Sequence, residues 1–150
     1  MSHPEHVPDD VVAAFRAYLS GDRELWKTRN EALDRSRTVQ RAYRAFVSAM
    51  FAEAVDRRLG RHPAWERIVE FVADIRARDD ALADALDPDE TERMIAWVDD
   101  DAGIDDIDAD RSLGIWILVV TVIVRDADLD DAGLDAFLQR ARTFADEVLG

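Results

Sequence analysis

Three aspartates alternate along a short segment between two predicted helices: Asp126, Asp128 and Asp130. Carboxylates at positions one, three and five are the first part of an EF-hand calcium loop. The rest of that pattern is absent, because Asp131 stands at position six, where glycine is required, and Phe137 at position twelve, where glutamate is required. Helix capping accounts for such aspartates without a metal. We therefore predict caps here, with Asp128 as the cap of the last helix, and a divalent-cation site as the alternative.

Paired carboxylates on predicted helices offer a second kind of metal chemistry. Glu31 with Asp34 and Glu53 with Asp56 are three residues apart, so each pair shares a helical face. Helical magnesium-dependent enzymes bring four such positions together, whereas here only Glu53 borders an apolar stripe. The chain has no cysteine, no glycine-rich phosphate loop and one internal histidine, His62, which leaves nucleophilic triads without candidates. The sequence favours a protein without catalytic activity and predicts no cofactor.

Arg37, Arg41 and Arg44 follow the i, i+4, i+7 spacing that places side chains on one helical face. Such a face is typical of a solvated surface paired with the chain's own carboxylates. The alternative is a docking stripe for an acidic segment or a phosphate-bearing ligand. Trp26 lies amid Arg23, Lys27 and Arg29 on the most weakly amphipathic of the predicted helices, so it is the tryptophan that we expect to be exposed as a partner anchor.

Charge is distributed unevenly along the chain, whose net charge is −14. Residues 1–67 carry 12 Arg and Lys against 10 Asp and Glu, whereas residues 68–150 carry 7 against 23. A double-stranded nucleic acid is not an expected partner, because phosphate neutralisation requires clustered cations. An anionic surface instead favours rapid association with a basic protein.

The uncharged run LGIWILVVTVIV, residues 113–124, is the strongest fold signal. Its β-branched residues favour a strand, but twelve residues is long for a strand and no second run of this composition offers a pairing partner. We predict a helix about 18 Å long, too short to span a membrane. Because every position is uncharged, we expect it to be enclosed on all sides as the central helix of the fold.

Amphipathic segments elsewhere predict the remaining helices of a compact all-α bundle of six to seven helices. Residues 22–59 contain a shift in apolar phase, which favours two helices, 22–34 and 36–59, over one bent helix. Trp65 and Val69 are predicted to face inward in the next helix, as are Phe144 and Val148 in the last. The sequence Asp87-Pro88-Asp89-Glu90, with an aspartate cap, proline first and glutamate third, predicts the start of another helix. The aspartate-rich segment 99–110 is predicted to be a solvated loop.

The ends of the chain complete the predicted organisation. Residues 1–8 contain two prolines and few apolar groups, which predicts a disordered segment before a single domain over residues 9–150. No basic segment followed by an apolar run occurs at the start, so we expect a cytoplasmic protein. The wide stripe on residues 39–59 is compatible with a monomer or a homodimer.

These patterns lead to two functional hypotheses. The first is a small acidic interaction module, such as an adaptor or an inhibitor, that binds a basic protein partner. The alternative is a divalent-cation-binding helical protein, or a magnesium-dependent enzyme, that uses the aspartate-rich loops or the E-x-x-D pairs.

Overall fold

The structure is a computed structural model that describes residues 5–96, 98 and 106–150, and every regular element in these ranges is an α-helix. Eight helices follow one another there: α1 (Asp9–Leu19), α2 (Arg23–Glu31), α3 (Arg37–Leu59), α4 (Trp65–Arg76), α5 (Asp80–Ala85), α6 (Pro88–Ala96), α7 (Ala109–Ala127) and α8 (Asp131–Leu149). The all-α fold class is confirmed.

The predicted number of six to seven helices is too low for the described ranges, because the short helix α5 stands apart from α4. The Asp79 side chain caps α5 by accepting a hydrogen bond from the Leu82 backbone N–H at 2.7 Å. The predicted loop over residues 99–110 lies largely outside the described residues, which resume at residue 106, and α7 begins at Ala109.

The break between α2 and α3 confirms the prediction of two helices over residues 22–59. The Asp34 side chain accepts a hydrogen bond from the Ser36 N–H at 3.0 Å. Ser36 in turn caps α3 by accepting one from the Val39 N–H at 3.3 Å. These local bonds satisfy backbone donors at the turn, so the chain changes direction between the two helices without leaving those groups unpaired.

The uncharged run forms the middle and end of α7, as a helix and not a strand. Residues 119–124 are all buried, but Leu113, Trp116, Ile117 and Leu118 are only half-buried and Gly114 is exposed. The expectation of enclosure on all sides is therefore wrong for the first half of the run. No helix in the described part of the chain is long and apolar enough to cross a membrane.

Helix α3 has the most extensive packing in the described part of the fold, since it lies against both α7 and α8. Its buried side chains occupy two adjoining stripes, which lets one helix serve two neighbours. They are Ala42, Phe46, Val47, Ala49, Met50, Phe51, Ala54, Val55 and Leu59. The run at 113–124 is thus not confirmed as the central element.

Helices α4, α5 and α6 form a second packed group, with α4 in contact with both of the others. Asp87 starts α6 as predicted, because its side chain accepts a hydrogen bond from the Glu90 N–H at 2.9 Å. Arg76 joins α4 to the end of α5 by donating from Nε to the Leu86 carbonyl at 2.8 Å. These contacts hold the inner side of α4 and leave its outer side to solvent.

Residues 5–8 pack against the helices, in contrast to the predicted disorder of residues 1–8; residues 1–4 lie outside the described ranges. Val7 is fully buried. Its N–H donates to Asp146 Oδ1 at 2.7 Å and its carbonyl accepts from Arg142 Nη2 at 2.7 Å. Glu5 forms an ion pair with Arg41 of α3 at 3.1 Å. Composition did not predict this segment's order, because its partners lie far along the chain.

Candidate protein-binding surface

Along one edge of its buried face, α4 carries exposed apolar side chains at regular helical spacing. Trp65 is 51% exposed and Val69 is 37% exposed, and Ala73 is exposed one turn further on. Residues four apart lie above one another on a helix, so the three form a continuous apolar stripe. Four other apolar residues of α4 face the core: Ile68, Phe71, Val72 and Ile75.

A row of carboxylates runs beside this stripe. Glu66, Glu70 and Asp74 each follow a stripe residue by one position, so they lie about 100° further around the helix. Asp74 forms an ion pair with Arg78 at 3.0 Å. Within the described residues, Glu66 and Glu70 form no ion pair, and both are exposed. We call the stripe and these two glutamates together the α4 surface.

The nearest cation in sequence does not neutralise the α4 surface. Arg67 donates from Nη1 to the Leu59 carbonyl at 3.0 Å, so its guanidinium is directed toward the end of α3. The helix α5, which contacts α4, also carries two exposed carboxylates, Asp80 and Asp84. The α4 surface therefore combines an apolar stripe with uncompensated negative charge.

The predicted inward orientation of Trp65 and Val69 is wrong, and the same holds for Phe144, which is 51% exposed, and Val148, which is 62% exposed. In α4 the buried residues cover only part of the helix circumference, and Trp65 and Val69 lie at the edge of this buried face. Periodicity identifies an apolar face but not the fraction of that face which a neighbouring helix covers.

The three arginines of the predicted docking stripe have different surroundings. Arg41 pairs with Glu5, as described above. Arg37 is exposed and forms no ion pair among the described residues. Arg44 donates from Nη1 to the Ala109 carbonyl at 3.2 Å, and its guanidinium lies 5.9 Å from the centroid of the Trp116 ring. Two of the three therefore make contacts within the fold, so the structure does not present them as one uniform free surface.

A groove of about 360 Å³ lies beside Arg44, at the α2–α3 turn and the start of α7. Arg35 and Arg44 line it together with Asp34 and Asp110, so its charges are balanced. Tyr43 also lines it, and burial raises the pKa of this hydroxyl to about 12. This groove has no dominant charge that would select a ligand.

Trp26 is half-buried, in contrast to the exposed anchor that its helix suggested. Its ring centroid lies 5.3 Å from that of Phe15 and 5.0 Å from that of Tyr18. Sequence reasoning missed this aromatic cluster because the three residues belong to two helices whose relative placement depends on the turn between them.

Two of the three candidate metal-ligating aspartates have their side chains engaged within the fold. Asp126 accepts hydrogen bonds from Arg78 through both carboxylate oxygens, each at 2.8 Å. Asp130, rather than the predicted Asp128, caps α8 by accepting from the Gly133 N–H at 2.7 Å. Asp128 ends α7 in the left-handed conformation with φ 48°. Among the described residues, no group of three or more acidic or histidine side chains is arranged to hold a metal ion.

The Arg78–Asp126 contact has a direct effect on protonation. The hydrogen bonds from Arg78 lower the pKa of Asp126, and partial burial opposes that shift. The same contact, with help from Asp74, raises the pKa of Arg78. Asp126 therefore stays ionised and bound to a cation of the protein itself at neutral pH.

No protein-family model matches the chain, and comparisons with curated proteins and with solved structures find no match either.

Proposed function

We propose that this protein is an interaction module that binds a basic, amphipathic segment of a partner protein along the α4 surface. The observation that carries the proposal is the exposure of Trp65 and Val69, 51% and 37%, on one face of α4. Large aromatic side chains are common at the centres of protein interfaces, where they contribute much of the binding energy.

Charge indicates the chemistry of the partner. Glu66 and Glu70 flank the apolar stripe without an ion pair among the described residues. A segment with apolar side chains on one side and Lys or Arg beside them would cover the stripe and neutralise both glutamates. The net charge of −14 would also accelerate the approach of such a partner at low salt.

The exposed area of Trp65 determines how much this side chain can contribute to the free energy of binding. About half of a large aromatic side chain, roughly 125 Å² of a ~250 Å² surface, remains available to a partner. At ~25 cal/mol per Å², covering this area contributes up to about 3 kcal/mol. Removal of the side chain should then weaken binding by at least about tenfold.

A synthetic helical peptide with Leu and Arg on adjoining faces provides the probe, and a scrambled peptide of the same composition provides the peptide control. Isothermal titration calorimetry should detect binding of the first peptide and at least about tenfold weaker binding after Trp65→Ala. Phe144→Ala is the matched control, because Phe144 has the same 51% exposure but lies on α8.

Charge neutralisation gives a second comparison. The double variant Glu66→Gln/Glu70→Gln should weaken binding and reduce its dependence on salt, whereas Glu24→Gln/Glu31→Gln on α2 makes the same change in net charge elsewhere. Equal binding of both peptides would contradict the proposal. So would equal losses in the α4 variants and in their controls, since binding would then reflect overall charge or general hydrophobicity.

A further inference from the structure

A second groove, about 380 Å³, opens where α1, α2 and α7 meet. We call it the basic aromatic groove. Its lining consists of Tyr18, Gly21, Arg23, Trp26, Lys27 and Arg125. It contrasts with the rest of an acidic protein because three cations and no carboxylate line it.

The aromatic side of the groove depends on the turn between α1 and α2. Gly21 adopts φ +88°, a conformation that other residues rarely take, and this turn folds α2 back against α1. Tyr18 and Trp26 then meet edge to face, with ring centroids 5.0 Å apart and an interplanar angle of 62°. Both rings are half-buried, so their remaining surface lines the groove.

The cationic side of the groove lacks internal compensation. Within the described ranges, Arg23, Lys27 and Arg125 form no ion pair and all three are exposed. Three carboxylates are adjacent to these cations in sequence: Asp22 accepts a hydrogen bond from the Leu25 N–H at 3.1 Å as the cap of α2, Asp126 accepts from Arg78 at 2.8 Å, and Glu24 forms no ion pair among the described residues. Arg23 is moreover the first residue of α2, where the helix dipole disfavours a cation. An anion bound in the groove would reduce the repulsion among the three cations and the unfavourable interaction of Arg23 with the helix dipole.

We propose that the basic aromatic groove binds a small ligand in which a planar aromatic ring carries phosphate, that is, a nucleotide. The ring would stack on Trp26 beside Tyr18, and the phosphates would receive hydrogen bonds from Arg23, Lys27 and Arg125. Bases stack on aromatic side chains, and arginine and lysine both bind phosphate. The volume of about 380 Å³ falls in the usual range for small-molecule sites, roughly 300–1,000 Å³. This site is separate from the α4 surface and does not rest on it.

Calorimetry of the full chain with ATP, adenosine and tripolyphosphate separates the contribution of the aromatic ring from that of the phosphates. ATP should bind with a submillimolar Kd, and adenosine and tripolyphosphate should each bind at least about tenfold more weakly, because each lacks half of the contacts. Arg23→Gln should weaken ATP binding about tenfold. Arg29→Gln, the same change elsewhere on α2, should leave it within about twofold.

Four results would overturn the proposal. The first is no ATP binding at millimolar concentration, and the second is equal affinity for ATP and tripolyphosphate, which would leave no role for the aromatic rings. The third is equal losses in Arg23→Gln and Arg29→Gln, which would reduce the effect to overall charge. A hexa-aspartate peptide that binds more tightly than ATP would assign the groove to acidic protein segments and would equally exclude a nucleotide site. Arg125→Gln, on a different helix, provides an independent repeat of the Arg23 measurement.

Discussion

Val7 offers a direct measure of how firmly the N-terminal segment is held. The side chain is fully buried, although the sequence around it has the composition of a flexible end. Val7→Ala removes two methyl groups and leaves the backbone hydrogen bonds to Arg142 and Asp146 in place. At about 0.8 kcal/mol for each buried group, plus a cavity contribution, the free energy of unfolding should fall by about 2 kcal/mol.

Urea denaturation followed by circular dichroism measures this loss, and a thermal scan should show a midpoint lower by about 6 °C. Val148→Ala is the matched control, because it makes the same substitution at a site that is 62% exposed, and it should cost less than about 0.5 kcal/mol. Equal losses for the two variants would refute the reasoning, since residues 5–8 would then contribute no buried surface to the folded protein.

Three further predictions concern titration and helix ends. The pKa of Asp126 is lowered, so the stability from its pairing with Arg78 is present above about pH 4 and is lost as the pH falls through the lowered pKa. Asp126→Asn should lower the free energy of unfolding by about 1 kcal/mol at neutral pH. In urea titrations, the free energy of unfolding of this variant should also fall less steeply as the pH is lowered. The pKa of Tyr43, raised to about 12, predicts a loss of stability as the pH rises above about 10, and Tyr43→Phe should abolish that loss. Asp130→Ala should lower stability by about 1 kcal/mol because it removes the cap of α8, whereas Asp128→Gly should leave stability unchanged or raise it by up to about 1 kcal/mol at a left-handed position. The reverse order of these two variants in thermal unfolding would contradict the assigned roles.

Local signals allowed much of the helical organisation to be predicted from the sequence. The change of apolar phase within residues 22–59 located the α2–α3 break, and Asp87 before Pro88 located the start of α6. These features depend on residues close together in the chain. Their physical causes, capping and amphipathicity, act within one or two helical turns.

Features that depend on distant contacts were not predictable in the same way. Val7 is ordered by side chains that lie 135 and 139 residues away. Two neighbouring aspartates, Asp128 and Asp130, are equally good cap residues by type, and the backbone conformation at the end of α7 decides between them. The exposure of Trp65 depends on how far the neighbouring helices extend along α4. The apolar pattern of α4 itself carries no information about that extent.

The candidate surfaces were harder to predict than the fold. Sequence reasoning noted the cations around Trp26, but Arg125 joins them only because the end of α7 lies beside α1 at the same groove. It also grouped Arg37, Arg41 and Arg44 by spacing alone. Contacts with Glu5 and with the Ala109 carbonyl engage two of those three within the fold. Helical spacing places side chains on one face, but neighbouring elements decide which of them stay free.

The position of α3 between α7 and α8 has a consequence for biosynthesis. A ribosome completes this helix of 23 residues well before it reaches residues 109–149, which supply its two most extensive packing neighbours. Until then, Phe46, Met50 and Phe51 have no cover from those helices. Nascent chains stalled before residue 109 should therefore recruit chaperones or aggregate, whereas chains extended through residue 149 should fold.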